Sequence, residues 1–328
     1  MPNDTDPSQP PTRPRTNGRS WPAAISLPTT PPPPPATGPD GGERWSVGRL
    51  LTWTTDYLKK RGSESPRLDT EVLLAQALGW PRVMLYTRFE EEVGNRVRAD
   101  FRELVRRRAE GAPVAYLVGR KEFYSLPLTV SPAVLIPRPD SEFVVVEFLA
   151  AVGPLEALRG VDVGTGSGCL ALACAHEKKA SRWVAIDVSP EALAVASGNA
   201  ERLGLADRVE FRPGNLLEPV AGDGPFDVIV SNPPYIPTGV IPSLEPGVRD
   251  FEPHRALDGG ADGLRVVAPL IGQAVPLLKP GGHLILEIGS DQEEAVRALL
   301  AAQPALRLAP TVRDHANHPR VVRATRLE

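Results

Sequence analysis

"VDVGTGSG", residues 161–168, decides how the longer part of this sequence folds. A β-branched apolar run ends in three glycines at alternate positions, and helical apolar spacing resumes from Cys169. Glycine lets a chain turn tightly and approach a ligand without a Cβ in the way, so strand, turn and helix together read as the binding edge of a parallel α/β sheet. The spacing G-x-G-x-G departs from the dinucleotide fingerprint G-x-G-x-x-G, and the Lys-Ser/Thr of a phosphate-binding P-loop is missing. Gly164, Thr165, Gly166, Ser167 and Gly168 are therefore candidate contacts to a cofactor of another kind.

Outward from this turn the pattern alternates strand and helix. Short apolar runs at Gly160 to Val163, Trp183 to Asp187, Val209 to Phe211, Phe226 to Ser231 and His283 to Ile288 are separated by helical stretches. Ser189 and Pro190 open one helix, Gly204 closes it, and Ser290 with Glu293 reads as the capping box of another. Two last runs, Leu306 to Thr311 and Val321 to Thr325, read as an antiparallel pair at one edge. The expected fold is α/β, a mostly parallel seven-stranded sheet with helices on both faces. Asp187 follows Gly166 by twenty-one residues at a strand end, where an acid can accept hydrogen bonds from both ribose hydroxyls. Asp162 could order the glycine turn by accepting from its backbone amides; capping the next helix is the bland alternative for both acids. Asn215 could read an adenine edge with Leu216 on its face, although a plain turn accounts for both. Glu287, in "LEIG", reads as structural.

"VSNPPYIP", residues 230–237, follows the fourth strand of this series. The Asn232 side-chain oxygen and the Pro233 carbonyl are two acceptors beside rigid rings, suited to a planar NH2 group with two donors, and Tyr235 can stack on that plane. Such a nitrogen is a poor nucleophile because its lone pair is delocalised. Accepting both N–H groups fixes it and stabilises the positive charge that builds on it as it turns to an electrophile. A sulfonium methyl on an adenosine-containing carrier is an electrophile that fits. Asn232, Pro233, Pro234 and Tyr235 are the candidate catalytic residues, with Asn232 also near the cofactor; a stiff turn with a buried tyrosine is the alternative.

The front of the chain differs. Residues 1–43 hold 13 of the 37 prolines and read as an unstructured tail. Residues 44–112 show helical spacing, as in Leu50, Thr54, Tyr57 and Leu58, or Val97, Phe101, Leu104 and Val105, and predict a small bundle; Ser65 and Pro66 open one helix and Gly79 closes it. Residues 113–139 alternate with aromatic and β-branched residues and predict a β-hairpin linker ending in the extended strap "LIPRP". The remaining 140–328 form the α/β domain. Net charge is −1 over 1–43, +6 over 44–138 and −8 over 139–328, which argues against a catalytic domain gripping a nucleic-acid backbone. Two isolated cysteines, Cys169 and Cys174, support neither a disulfide framework nor a metal site, and suit a cytoplasmic protein. No apolar run is long enough to span a bilayer, and a monomer is expected.

The stretches "SPRLDTEVLLAQALG", "PVAYLVGRKEFYSLPLTVSPAVLIPRPDSE", "VDVGTGSG", "VSNPPYIP", "FEPHRALDGGADGL" and "LEIG" together resemble the HemK/PrmC family, from about Val47 to the C-terminus. The resemblance implies an S-adenosyl-L-methionine-dependent enzyme that methylates N5 of the glutamine in the Gly-Gly-Gln motif of class 1 peptide-chain release factors. It implies that Gly164 to Gly168 and Asp187 hold the cofactor, with Asn215 and Leu216 near its adenine, and that Asn232, Pro233 and Tyr235 hold the glutamine. The strap with Arg138 would line the site and the helical bundle would recognise the release factor. Asn215 stands where the family usually has an acid, "PRPDSE" where it has "PRPETE" or "PRPDTE", and "DHANHPR" where it has "DLAGHPR". Rival readings are a ribosomal-protein glutamine methyltransferase, an amino methyltransferase of nucleic-acid bases, and a non-catalytic adaptor.

Overall fold

The computed structural model describes residues 44–328, so the proline-rich stretch 1–43 lies outside the described residues. Five helices come first: α1 (Val47–Lys60), α2 (Pro66–Leu78), α3 (Met84–Thr87), α4 (Asn95–Ala109) and α5 (Val114–Val118). α1 begins where the Ser46 hydroxyl accepts from the Arg49 amide and ends in Lys59 and Lys60, which complement the helix dipole. α2 has Pro66 in its first turn and Gly79 as a left-handed C-cap, although Ser65 makes no side-chain cap. Its Asp69 accepts from Ser63 Oγ and Arg108 Nε, each at 2.7 Å, and so ties α2 to α4. The apolar faces share one core around Leu50, Leu58, Leu74 and Phe101.

The following segment corrects the expected hairpin. Residues Val114–Val118 are helical, stopped by Gly119 at φ 72°. A five-residue apolar run cannot be told from a strand by pattern alone, and Pro113 ahead of it with glycine behind it favours the helix. The hairpin itself is β1 (Arg120–Phe123) and β2 (Leu126–Thr129). Its two-residue turn, Tyr124–Ser125, has φ of 48° and 61°, the positive values a tight hairpin turn needs and usually obtains from Asn or Gly. Glu142 accepts from the Tyr124 amide at 3.0 Å and holds the turn.

The rest alternates: α6 (Glu142–Val152), β3 (Arg159–Val163), α7 (Cys169–Glu177), β4 (Arg182–Asp187), α8 (Pro190–Leu203), β5 (Val209–Pro213), β6 (Phe226–Ser231), α9 (Pro246–Arg249), α10 (Val267–Leu277), β7 (Leu278–Glu287), α11 (Glu293–Ala301), β8 (Leu306–Leu308), β9 (Val312–Arg313) and β10 (Pro319–Arg326). The sheet runs β5-β4-β3-β6-β7-β10-β8, parallel from β5 to β7, with β9 added on β10. The seven-stranded expectation thus holds along this path, with one short extra strand. The final pair is antiparallel, but only β8 is the edge: β10 lies between β7 and β8. The Ser290–Glu293 capping box does not form. α11 starts at Glu293 with Gln292 as N-cap, and Glu293 pairs with Arg313 at 2.6 Å.

Alternate residues of each strand feed two cores. Trp183, Ala185, Val228, Val230 and Ile285 pack with α6, α7 and the hairpin residues Phe123 and Leu128. Val161, Val163, Ile186, Ile229 and Leu286 pack with α10 and α11 on the other face. Phe148 meets Trp183 edge-on at 5.4 Å, a pair contributing about 0.5–1.5 kcal/mol beyond its area. Gly160 leaves room for that indole: a Cβ there would lie 2.6 Å from the ring. Gly160→Ala should therefore destabilise by about 1–3 kcal/mol, read as a lower urea midpoint. An unchanged midpoint would show that the indole shifts at no cost.

Candidate active site

Strand order reverses at β3, whose neighbours are β4 and β6, so the crevice opens at the carboxyl ends of these strands. The register aligns Val163 with Ile186 and Ser231, and Ser231 with Leu286. The next residue of each strand is therefore Gly164, Asp187, Asn232 and Glu287, four neighbours in one row across the sheet. A cavity of about 200 Å³ lies at this edge. Among the sequence-predicted residues, Gly164, Thr165, Gly166, Ser167, Asp187, Asn215, Leu216, Asn232, Pro233 and Pro234 line it. Gly168 and Tyr235 do not.

The glycine turn is held by the end of β4. Ile186 O accepts from the amides of Gly164 and Thr165, each at 2.9 Å, and Asp187 Oδ2 accepts from Gly166 at 2.9 Å. Asp187 Oδ1 accepts from Ser189 N at 2.9 Å, which starts α8, and a carboxylate's remaining lone pairs stay open to the cavity edge. Gly164 and Gly166 take φ of 72° and 56°, where a side chain would be strained. Gly168 has a packing role: a Cβ there would lie 3.0 Å from Leu172 and 3.2 Å from Ala196. Asp162 departs from expectation, since it accepts from Thr165 Oγ1 at 2.6 Å and from Ala171 N at 3.1 Å, and the turn amide goes to Asp187. Its Oδ1 is buried without a partner, and burial pushes its carboxyl up to about 7.

The Asn232 Nδ2 donates to Ser141 Oγ at 3.0 Å, which leaves Oδ1 as the acceptor end. Asn215 Nδ2 likewise donates to Glu218 at 3.2 Å, leaving its own oxygen available. The Asn-Pro-Pro-Tyr loop is gripped from outside: Ile236 N donates to Leu257 O at 3.0 Å, and Gln292 Nε2 to Tyr235 O at 2.9 Å. A Cβ on Gly263 would lie 2.3 Å from Tyr235 O, and one on Gly259 2.8 Å from Pro234 O. Gly259 and Gly263 of "DGGADGL" leave room for the loop's backbone, while Gly260 takes φ of 89°. The Tyr235 hydroxyl donates to Glu287 Oε1 at 3.3 Å, and burial together with that acid pushes its pKa up, so it stays a donor.

Three contributors were not legible in the sequence. Glu252, buried, accepts from Arg138 Nη2 and from Ile136 N at 3.3 Å, pinning the strap over the cavity. Asn199, fully buried, accepts from Thr129 N at 2.7 Å and donates to Thr129 O at 3.1 Å and Ser167 O at 2.8 Å, so it fastens the hairpin to the glycine turn. Ser141, at the head of α6, reaches Asn232 across 91 positions of sequence. Only chain folding brings these partners together, and no local spacing announces them.

Family models match at residues 49–119, as the PrmC N-terminal domain, and at residues 141–240, as a methyltransferase small domain. The chain is 43% identical over 282 residues to the release factor glutamine methyltransferase of Rhodopirellula baltica, covering 85% of this chain and 95% of that one. The chain belongs to the release factor glutamine methyltransferase family. Other members are those of Geobacter sulfurreducens, 44% identical over 79% of this chain and 89% of its own, and Moorella thermoacetica, 47% identical over 81% and 94%. Among solved structures, the catalytic domain of hMettl16 in complex with MAT2A 3'UTR hairpin 6 has a TM-score of 0.52 at 16% identity, covering 69% of this chain and 82% of that one, a likeness of fold.

The methyl donor of this family member is S-adenosyl-L-methionine. The cavity suits it: Asp187 offers carboxylate lone pairs, Asn215 an amide oxygen, and a Cβ on Gly164 would meet nothing within 4 Å.

Asp162 supplies a test of the packing beneath the glycine turn. Its raised pKa means that the folded chain keeps a proton which the unfolded chain loses near pH 4, so this contribution to stability is present at acid pH and is lost as pH rises through about 7. In urea melts across that range, Asp162→Asn should flatten part of the decline. An identical slope in both proteins would show that Asp162 is already ionised in the fold.

Proposed function

We propose that this chain transfers a methyl group from S-adenosyl-L-methionine to the N5 side-chain amide nitrogen of the glutamine in the Gly-Gly-Gln motif of class 1 peptide-chain release factors. The observation that carries the reading is the Asn232 amide: its nitrogen is committed to Ser141, so its oxygen is the end left for a substrate N–H. Pro233, buried beside it, contributes a backbone carbonyl as second acceptor.

The bound cofactor supplies an electrophilic methyl on a sulfonium. Asp187 would accept from the ribose hydroxyls, Gly164 and Gly166 would let the backbone approach the cofactor without a Cβ in the way, and Asn215 with Leu216 would meet the adenine. Asn232 Oδ1 and Pro233 O accept the two amide N–H groups of the glutamine. They orient the nitrogen and favour the positive charge that grows on it as its lone pair leaves conjugation. Pro234 keeps the loop stiff and Tyr235 backs the site from its hydroxyl anchor. No side chain need remove a proton before attack; the proton leaves afterwards, to water.

We take residues 44–112 as the module that recognises the release factor, 113–139 as the linker and strap, and 140–328 as the transferase domain. Among the described residues no helix is long and apolar enough to cross a membrane, and Cys169 and Cys174 are free thiols, which supports action in the cytoplasm. We take the enzyme to act as a monomer, and the −8 charge of the transferase domain supports a protein rather than a nucleic-acid substrate.

Labelled S-adenosyl-L-methionine should methylate a purified release factor and not its Gly-Gly-Ala version. Asn232→Ala should lower turnover by at least about 100-fold with cofactor still bound. Label on the alanine version, or label found on ribosomal protein or RNA instead, would redirect the assignment.

A further inference from the structure

Behind the Asn-Pro-Pro-Tyr loop stand two buried polar side chains that touch no reacting atom in this scheme. Ser141 and Glu287 are each 1% exposed. Ser141 Oγ accepts from Asn232 Nδ2 at 3.0 Å, and Glu287 Oε1 accepts from the Tyr235 hydroxyl at 3.3 Å. Glu287 Oε2 is buried with no hydrogen-bond partner. The Ser141 hydroxyl lies against that same carboxyl, near enough to favour its ionised form though short of full hydrogen-bond geometry. One carboxyl therefore touches Tyr235 directly and reaches Asn232 through a single hydroxyl.

The direction of this chain matters. An asparagine amide has two ends of nearly equal shape, and only its oxygen can hold a substrate N–H. Ser141 Oγ accepts from Asn232 and still has its own proton to give. An ionised Glu287 would draw that proton towards its unpartnered Oε2, while Tyr235 already donates to Oε1, so both donors would point towards the carboxylate. A protonated Glu287 would offer Ser141 a donor instead and weaken this ordering. Hydrogen bonds aligned in one direction also polarise one another, which makes Asn232 Oδ1 a stronger acceptor.

We propose that Glu287, acting through Ser141, is a positioning residue that keeps the Asn232 carbonyl oxygen towards the substrate amide and anchors Tyr235 by its hydroxyl. The inference rests on the reading of Asn232 as the amide acceptor. It also gives the reaction a pH dependence. Burial, with Asp140 nearby, pushes the Glu287 carboxyl up to about 7, while Ser141, Tyr235 and Arg320 hold it down. Cys169 also faces it, and burial keeps that thiol neutral, pushed up to about 12. Arg320 is itself paired with Asp140 at 3.2 Å and Asp314 at 2.9 Å, so Glu287 has no guanidinium of its own. Turnover should rise as Glu287 ionises.

The test compares turnover, KM for the release factor and cofactor affinity in the full chain from about pH 6 to 9, around the carboxyl's titration. The variants are Glu287→Gln, Ser141→Ala, Ser141→Thr and Asn232→Ala. Glu287→Gln and Ser141→Ala should each lower kcat roughly 10- to 100-fold, with cofactor affinity unchanged. Ser141→Thr, which keeps the hydroxyl, should restore it. The acid limb near pH 7 should be present in the unaltered protein and absent in Glu287→Gln. If Asn232→Ala is inactive while Glu287→Gln and Ser141→Ala keep kcat within about twofold, or the acid limb persists without Glu287, the positioning role is overturned and the amide reading stands. If Asn232→Ala is itself active, the amide reading falls first. Should Glu287→Gln not fold, Ser141→Ala decides alone, because it removes only the hydroxyl at the chain's middle link, and Ser141→Thr shows whether a returned hydroxyl restores turnover.

Discussion

The parallel register of β4, β3, β6 and β7 is the constraint on which the rest depends. Because Val163, Ile186, Ser231 and Leu286 are level, the strands deliver Gly164, Asp187, Asn232 and Glu287 to one row. A slip of one residue would exchange the faces of a strand and bury its polar terminus in one of the two apolar cores. The same alternation that fills those cores therefore places a strand-end acid, a tight turn, an amide and a buried carboxyl side by side. Stability and chemistry share the register.

Around that row the chain spends its polar side chains on holding backbone. Asn199 joins hairpin to glycine turn, Glu252 pins the strap, and Gln292 grips Tyr235 from behind. Each is buried or nearly so, where an unmet hydrogen bond is costly, so each has a single favourable arrangement. Gly259 and Gly263 serve the same end by letting backbone pass within contact of the loop. A loop gripped in this way needs little reorganisation to meet a flat amide, and preorganised acceptors of this kind lower a barrier.

Much of this was legible in the sequence. The strand and helix alternation, Gly164 to Gly168, Asp187 and the proline-stiffened Asn232 carry local signals of periodicity, glycine spacing and ring stiffness. What stayed hidden depends on distant partners. Val114–Val118 looked like a strand because five apolar residues have no distinct period. Ser290 looked like a cap because spacing alone cannot show that α11 starts later. Glu287 looked structural because its contact to Tyr235 lies 52 positions away in sequence, and Asn199 gave no signal before its hairpin partner was in place.

The central claim is that Asn232 and Pro233 hold a glutamine amide by its two N–H groups. A crystal structure with the demethylated cofactor and a release-factor segment carrying the Gly-Gly-Gln glutamine tests it most directly. The account predicts the side-chain nitrogen within hydrogen-bond distance of both Asn232 Oδ1 and Pro233 O, with Asn232 Nδ2 still on Ser141. A glutamine bound elsewhere, or an Asn232 that turns its nitrogen to the substrate, would contradict it.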